Sequence, residues 1–177
     1  ERHIHVARDG FLPYPQRAIR TRDYIYIVNF EPDRWPMGNP AGIDQPNAIL
    51  PDFQTLVDDT FVAYADMDGS PTKAWMIHHR EDHDVEPLFK LAFGKRPREE
   101  LYDLNADPDY LNNVASDPAW ENVRAGLEKQ LLTVLQQQQD PRLMEQPCRY
   151  EYEPYAGPLD ETWAAPGVPQ KIPGTTS

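Results

Sequence analysis

Residues 117 to 138 carry the pattern that most narrows what this chain can become. Asp117 and Pro118 open it: the carboxylate can accept amide hydrogens from a first helical turn, and proline lacks only a hydrogen which that turn leaves unpaired. Trp120, Val123, Leu127, Leu131 and Val134 then recur at spacings of three, four, four and three. That predicts one helix reaching about Gln138, apolar along a single stripe and ended by Asp140-Pro141. Such a helix gains little from propensity alone, so its stripe has to be buried against another element.

A sheet is the apolar surface nearest in sequence. "ELYDL", Glu100 to Leu104, reads as a strand, followed by a turn on Asp107-Pro108 and a second at Asn112-Asn113. This joint reverses the chain and lays the helix back across the strand. "RAIRTRDYIYIVNF" reads as a hairpin: Ala18 to Arg20, a turn at Thr21-Arg22-Asp23, then Tyr24 to Phe30. Ile25, Ile27 and Asn29 face one way, and Tyr24, Tyr26 and Val28 the other. Glu100 to Leu104 is expected to pair antiparallel with Tyr24 to Phe30. The expected fold class is therefore α+β, a small antiparallel sheet packed against a C-terminal amphipathic helix.

The intervening segments are shorter. Pro32, Pro36, Pro40 and Pro46 make residues 31 to 47 a loop. Trp35 within it is either an anchor packed on the core or a platform for a sugar ring. Phe53, Leu56, Val57 and Phe61 have near-helical spacing behind a capping Asp52. "DMDGSPTK" is a turn cluster, and "AWMIHHR" suits a strand or a helix start. Leu88, Phe89, Leu91, Ala92 and Phe93 suggest a short helix that stops at Gly94. From Pro141 to Ser177 the chain reads as an extended surface tail anchored by Tyr150, Tyr152, Tyr155 and Trp163. The expected division is residues 1 to 143 as sheet plus helix and 144 to 177 as Pro-rich tail.

Charge and composition exclude some functions. The formal net charge of −12 argues against a general nucleic-acid binder, which needs a basic face. No run of apolar residues is long enough for a helix to span a membrane. The one cysteine, Cys148, cannot form an internal disulfide, which leaves the compartment open. Residues 1 to 22 are locally basic, with Arg2, Arg8, Arg17, Arg20 and Arg22 against Glu1 and Asp9. They either attract an anionic ligand or pair with the acidic remainder of the chain. The chain opens within an apparent strand, "ERHIHV", and so reads as a portion of something larger.

"RPREELYDLNADPDYLNNVASDPAW" resembles the C-terminal signature of the formylglycine-dependent sulfatases. "ERHIH", "YPQRAIRT", "YIYIVNFEPDRWP", "DGSPTK" and "LAFGKRP" resemble, in matching order up to about residue 143, a bacterial branch related to heparan N-sulfatase (N-sulfoglucosamine sulfohydrolase). The resemblance implies the C-terminal subdomain of the alkaline-phosphatase-like sulfatase fold. Its partner would be the N-terminal catalytic domain of a parent chain, and its substrate a sulfated carbohydrate. It also implies a periplasmic or secreted location. The nucleophile, formylglycine made from a C-x-P-S-R type motif, and the family's calcium ion belong to that catalytic domain. Here "PCRYEY" around Cys148 does not match the motif, and neither Asp58-Asp59 nor Asp103-Leu104-Asn105 stands in the calcium context. The chain alone is therefore expected to be inactive, with no catalytic residue, metal or cofactor of its own. Cut from its partner, it is expected to expose an apolar face on the 17–30 hairpin and to form a homodimer through it. The alternative is a free-standing, non-catalytic module that binds a carbohydrate or a partner.

The expected substrate contacts are Arg2, His3, His5, Arg34 and Trp35. His3 and His5 alternate, so on a strand they share a face, and Arg and His both donate well to sulfate or carboxylate. Interface hydrogen bonding suits the same residues. Arg34 and Trp35 could grip a sugar through charge and stacking, or simply pack. His79 and His83, four apart in "HHREDHD", could reach one ion from a helix, but the mixed charge of the run favours a solvated loop.

Overall fold

Thr21 makes the first turn of the sheet. Its Oγ1 accepts from the Tyr24 amide at 2.9 Å, and its own amide donates to the Tyr24 carbonyl at 2.8 Å. This joins strand β1 (Gln16–Arg20) to β2 (Tyr24–Asn29). The computed structural model describes residues 7–151, and the expected contacts Arg2, His3 and His5 and the expected tail beyond Glu151 lie outside them. Two units share the described residues: 14–32 with 96–151, and 7–13 with 33–95.

The first unit holds the sheet. β3 (Glu99–Asp103) pairs antiparallel with β2, Tyr26 opposite Leu101 and Val28 opposite Glu99, in the order β1-β2-β3. Alternation then sorts the side chains. Tyr26, Val28 and Leu101 are buried on one face against Leu127, Leu131 and Leu135 of a long helix. Asn29, Glu100 and Tyr102 belong to the other, where Asn29 Nδ2 donates to Glu100 Oε1 at 2.7 Å and Tyr102 Oη to Glu100 Oε2 at 2.6 Å. The mixed α+β architecture expected from the pattern is what the chain adopts.

The helix starts as its cap predicts. Asp117 accepts from the Ala119 amide at 2.9 Å, a 3-10 turn spans Pro118–Trp120, and α-helical geometry runs over Glu121–Gln137. The expected stripe is corrected at its end: Val134 is 39% exposed and Leu135 only 5%. Steps of four residues carry the buried line about 40° round the helix each time, so Leu127, Leu131 and Leu135 drift together across the sheet. A step of three from Leu131 to Val134 turns back out of that line.

The joint between β3 and the helix supplies a missing neighbour. Asn113 Oδ1 accepts from the Leu101 amide at 2.9 Å, Asn113 Nδ2 donates to the Glu99 carbonyl at 3.1 Å, and the Val114 amide bonds the Leu101 carbonyl at 2.9 Å. One asparagine side chain thus satisfies the outer edge of β3 as a fourth strand would. Asp107 fixes the approach by accepting from the Asn112 amide at 2.8 Å.

Beyond the helix, the stretch expected to be extended from Pro141 opens as a helical turn, Pro141–Met144. Asp140 directs this, accepting from the Arg142 amide at 2.9 Å as a cap and binding Arg17 through Nε at 2.7 Å and Nη2 at 3.0 Å. A 3-10 turn follows at Arg149–Glu151, beside a buried Cys148.

The second unit is helical. The helices Phe53–Asp58, Pro71–His78 and Glu86–Phe93 enclose Ile43, Leu56, Ala63, Tyr64, Ala74, Ile77 and Phe93. Asp52 caps the first through the Thr55 amide at 3.0 Å. Ser70 caps the second through the Lys73 amide at 3.2 Å, with Pro71 next, which decides "AWMIHHR" for helix. The third stops at Gly94 in an extended conformation, where a Cβ would lie 2.5 Å from the Lys90 carbonyl oxygen. No helix among the described residues is long and apolar enough to cross a membrane.

Candidate functional site

Proline removes the backbone donors that could tie residues 31 to 47 into regular structure, so this loop takes its shape from side chains. Arg8 provides most of it. Its Nε donates to the Trp35 carbonyl at 2.7 Å, its Nη2 to the Pro36 carbonyl at 2.8 Å, and it pairs with Asp66. Both side chains of that ion pair are 2% exposed. Backbone bonds complete the clamp: Asn39 to Ala7 at 2.7 Å, Asp66 to Met37 at 3.0 Å, and Tyr64 to Asn39 at 2.8 Å. Gly38, at φ +91°, sits where a Cβ would lie 2.8 Å from both Ala65 N and Ala7 O. Only glycine fits that crossing.

Trp35 is half-buried in this frame. Its indole meets Tyr64 edge-on, with centroids 6.1 Å apart and planes at 75°, and Tyr64 lies 4.8 Å from Phe93. Lys95 Nζ stands 5.2 Å from the Trp35 centroid, a cation over an aromatic face. Trp35 thus packs one edge on the core and carries a cation over its face. Arg34 Nη1 donates to the Pro13 carbonyl at 2.9 Å and so helps hold the loop. Burial, with the nearby Asp44 carboxylate, pushes the Tyr64 hydroxyl well above its ordinary range, so it stays neutral.

Of the five expected contacts, Arg34 and Trp35 stand together on the loop. Arg2, His3 and His5 lie outside the described residues, but the chain that continues from them, Ala7–Arg8, runs directly against residues 35–39. The basic run takes the pairing alternative at two positions, Arg8 with Asp66 and Arg17 with Asp140, whereas Arg20 Nη1 donates to a hydroxyl, that of Tyr110, at 2.7 Å. Arg8 had a signal in that run. Asp66 and Lys95 had none, because their partners are distant in sequence.

The histidine run is not a shared face. The helix ends at His78, so His79 and His83 do not ride on one helix. His79 Nδ1 lies 2.6 Å from Asp82 Oδ2, His83 Nδ1 lies 2.9 Å from Asp84 Oδ1, and His78 Nε2 lies 3.0 Å from the Pro51 carbonyl. Among the described residues no cluster of three His, Cys, Asp or Glu side chains could hold a metal ion. No protein-family model matches the chain, and no curated protein matches it.

Proposed function

We propose that this chain is the C-terminal part of a formylglycine-dependent sulfatase that hydrolyses an O-sulfate or N-sulfate group of a sulfated carbohydrate. The observation that carries the reading is the pairing of "YIYIVN" with "ELYD" in one antiparallel sheet, covered by the helix that follows the Asp-Pro and Asn-Asn turns. Those segments carry the resemblance, and adjacency under one helix is the arrangement it calls for. The parent protein is the enzyme, exported to the periplasm or secreted, and its catalytic domain supplies formylglycine and calcium.

This chain's share of the chemistry is contact and shape. Arg34 and Trp35 offer a donor and an aromatic face to a sulfated sugar, and the resemblance adds Arg2, His3 and His5 as further donors. A formal charge of −12 repels a polyanionic glycan as a whole. Binding therefore depends on local cations, Lys95 over the Trp35 ring first among them. An attack on sulfur needs an activated nucleophile, and the sequence has no C-x-P-S-R motif to make one.

The test is to read the frame upstream of Glu1, express its whole product, and assay release of inorganic sulfate from N- and O-sulfated glucosamine. A C-x-P-S-R motif upstream, with turnover by the whole product and none by residues 1–177, is the expected result. A frame without the motif, or turnover by residues 1–177 alone, overturns it. In the first case the free-standing binding module becomes the better account.

A further inference from the structure

The second unit contains a buried cation outside the site described so far. Lys73, on the helix Pro71–His78, is 1% exposed. Its Nζ donates to three carbonyls of a single loop: Met67 at 2.8 Å, Thr60 at 3.0 Å and Tyr64 at 3.4 Å. The loop is held along its length as well: the Tyr64 amide donates to the Asn39 carbonyl at 2.8 Å, the Asp66 amide to the Met37 carbonyl at 3.0 Å, and the Met67 amide to the Tyr64 carbonyl at 2.9 Å. Asp59 accepts from the Phe61 amide at 2.8 Å, and Thr60 Oγ1 accepts from the Gly69 amide at 2.9 Å. At its centre Tyr64 has φ +47°, a left-handed conformation that a bulky side chain adopts only under constraint. The ring of that same residue is the surface against which the Trp35 indole rests.

We infer that Lys73 is a positioning residue for the Trp35 site, an internal cation that holds Tyr64 in its left-handed conformation and through it sets the indole. An ammonium has three hydrogens for three carbonyls, so every acceptor is served. A neutral amine has two. One carbonyl then loses the Lys73 hydrogen, and Tyr64 O, at the longest distance, is the first to do so and is left with the Met67 amide at 2.9 Å. Loss of one proton thus removes one of the three contacts that Lys73 makes to the loop.

The surroundings bring that loss within reach of ordinary solution. Burial pushes the Lys73 ammonium down to about 8, against the opposing pull of the Asp59 and Asp68 carboxylates. Asp66, on the same loop, is engaged by Arg8. The inference that a sugar is bound there rests on the proposed carbohydrate reading, whereas the link from Lys73 to Trp35 does not.

Nuclear magnetic resonance on the chain separates the two. The Lys73 side-chain resonances, the Tyr64 and Met67 amides and the Trp35 indole, assigned with a Trp35→Phe variant, are followed from pH 6.5 to 9.5. A common midpoint near 8 is expected, with Lys73→Met showing the high-pH indole position throughout. A Trp35 signal that does not follow the Lys73 titration in the native chain overturns the inference, even if the Met variant fails to fold. An N-sulfated glucosamine disaccharide added at pH 6.5 and 9.5 supplies the other arm. At least tenfold weaker binding at the higher pH is expected, together with loss of affinity in Lys73→Met. Binding that is pH-independent while the indole moves overturns the role in ligand positioning. No binding at either pH, with the coupled midpoint intact, sinks the carbohydrate reading and leaves the Lys73–Trp35 link standing.

Discussion

Arg124 Nη1, on the long helix, donates to Glu99 Oε1, at the head of β3, across 2.6 Å. The same carboxylate oxygen accepts from Tyr26 Oη at 2.5 Å, so strand, neighbouring strand and helix meet at one atom. Arg124 Nη2 also donates to Glu121 at 2.8 Å, which fixes the rotamer that reaches the sheet. Leu127 and its partners bury the helix on the sheet, and this contact ties the two together at one point.

A double-mutant cycle on Arg124→Met and Glu99→Gln should therefore show a coupling of about 1 kcal/mol, the upper range for partly exposed pairs. The side chains are 17% and 30% exposed, so the coupling should persist in moderate salt. A coupling indistinguishable from zero would mean that apolar packing alone sets the register.

Docking itself is tested at four positions. Leu127→Ala and Leu135→Ala should each cost roughly 2–5 kcal/mol in a denaturant titration, as buried leucines do. Val134→Ala and Gln136→Ala, on the outer side, should each cost less than about 0.5 kcal/mol. Equal small losses at all four would show that the helix does not lie on the sheet.

The sequence made the first unit legible for a physical reason. Its signals are periodic or local: the Asp117-Pro118 cap, the stripe through Leu127 and Leu131, and the alternation in Tyr24–Val28. Most of the burial in this unit follows from those patterns. What periodicity could not supply was the crossing angle, and so Val134 stood where Leu135 belongs. The second unit was less legible because its organising contacts join residues far apart, Arg8 to Asp66 over 58 positions and Trp35 to Lys95 across three helices. Trp35 itself was visible, since a tryptophan among prolines has few uses. The buried role of Lys73 was not, because nothing in "GSPTK" shows three carbonyls converging.

Asn113→Ala removes both hydrogen bonds that finish the edge of β3. Hydrogen exchange at the Leu101 amide should quicken by at least tenfold relative to amides in the middle of β2, with a stability loss of about 1–2 kcal/mol. Unchanged protection at Leu101 would show that Val114 guards the edge alone.

Arg8→Met should be among the most damaging single changes in the second unit. It strands the Asp66 carboxylate in a dry site, a loss of about 3–5 kcal/mol. Arg8→Lys should recover only part of that, because one ammonium cannot copy a fork that reaches three carbonyls and a carboxylate. Full recovery by lysine, read as thermal midpoint, would refute the clamp geometry.

Lys73 also sets a pH dependence of overall stability. Between about pH 8 and 10.5 the unfolded chain keeps a proton that the folded chain has shed, so this group's contribution to stability rises with pH across that window. The hydroxyls of Tyr26, Tyr64 and Tyr102, all pushed upward by burial, act in the opposite direction only above about pH 10. Denaturation midpoints compared at pH 7.5 and 9.5 should show a gain in the native chain that Lys73→Met lacks. The same gain in both would assign the effect elsewhere.

The pairing of Tyr26 with Glu99, 73 residues apart, has a consequence for how the chain is made. The first hairpin leaves the ribosome with Tyr26 and Val28 bare, and the strand that borders it is translated about 4–15 s later at ordinary elongation rates. The helix that covers the face follows later still. Through that interval the nascent chain presents a sticky, unfinished ribbon to everything around it. Slower elongation between residues 30 and 99 lengthens that interval, and holding chaperones shield the ribbon through it.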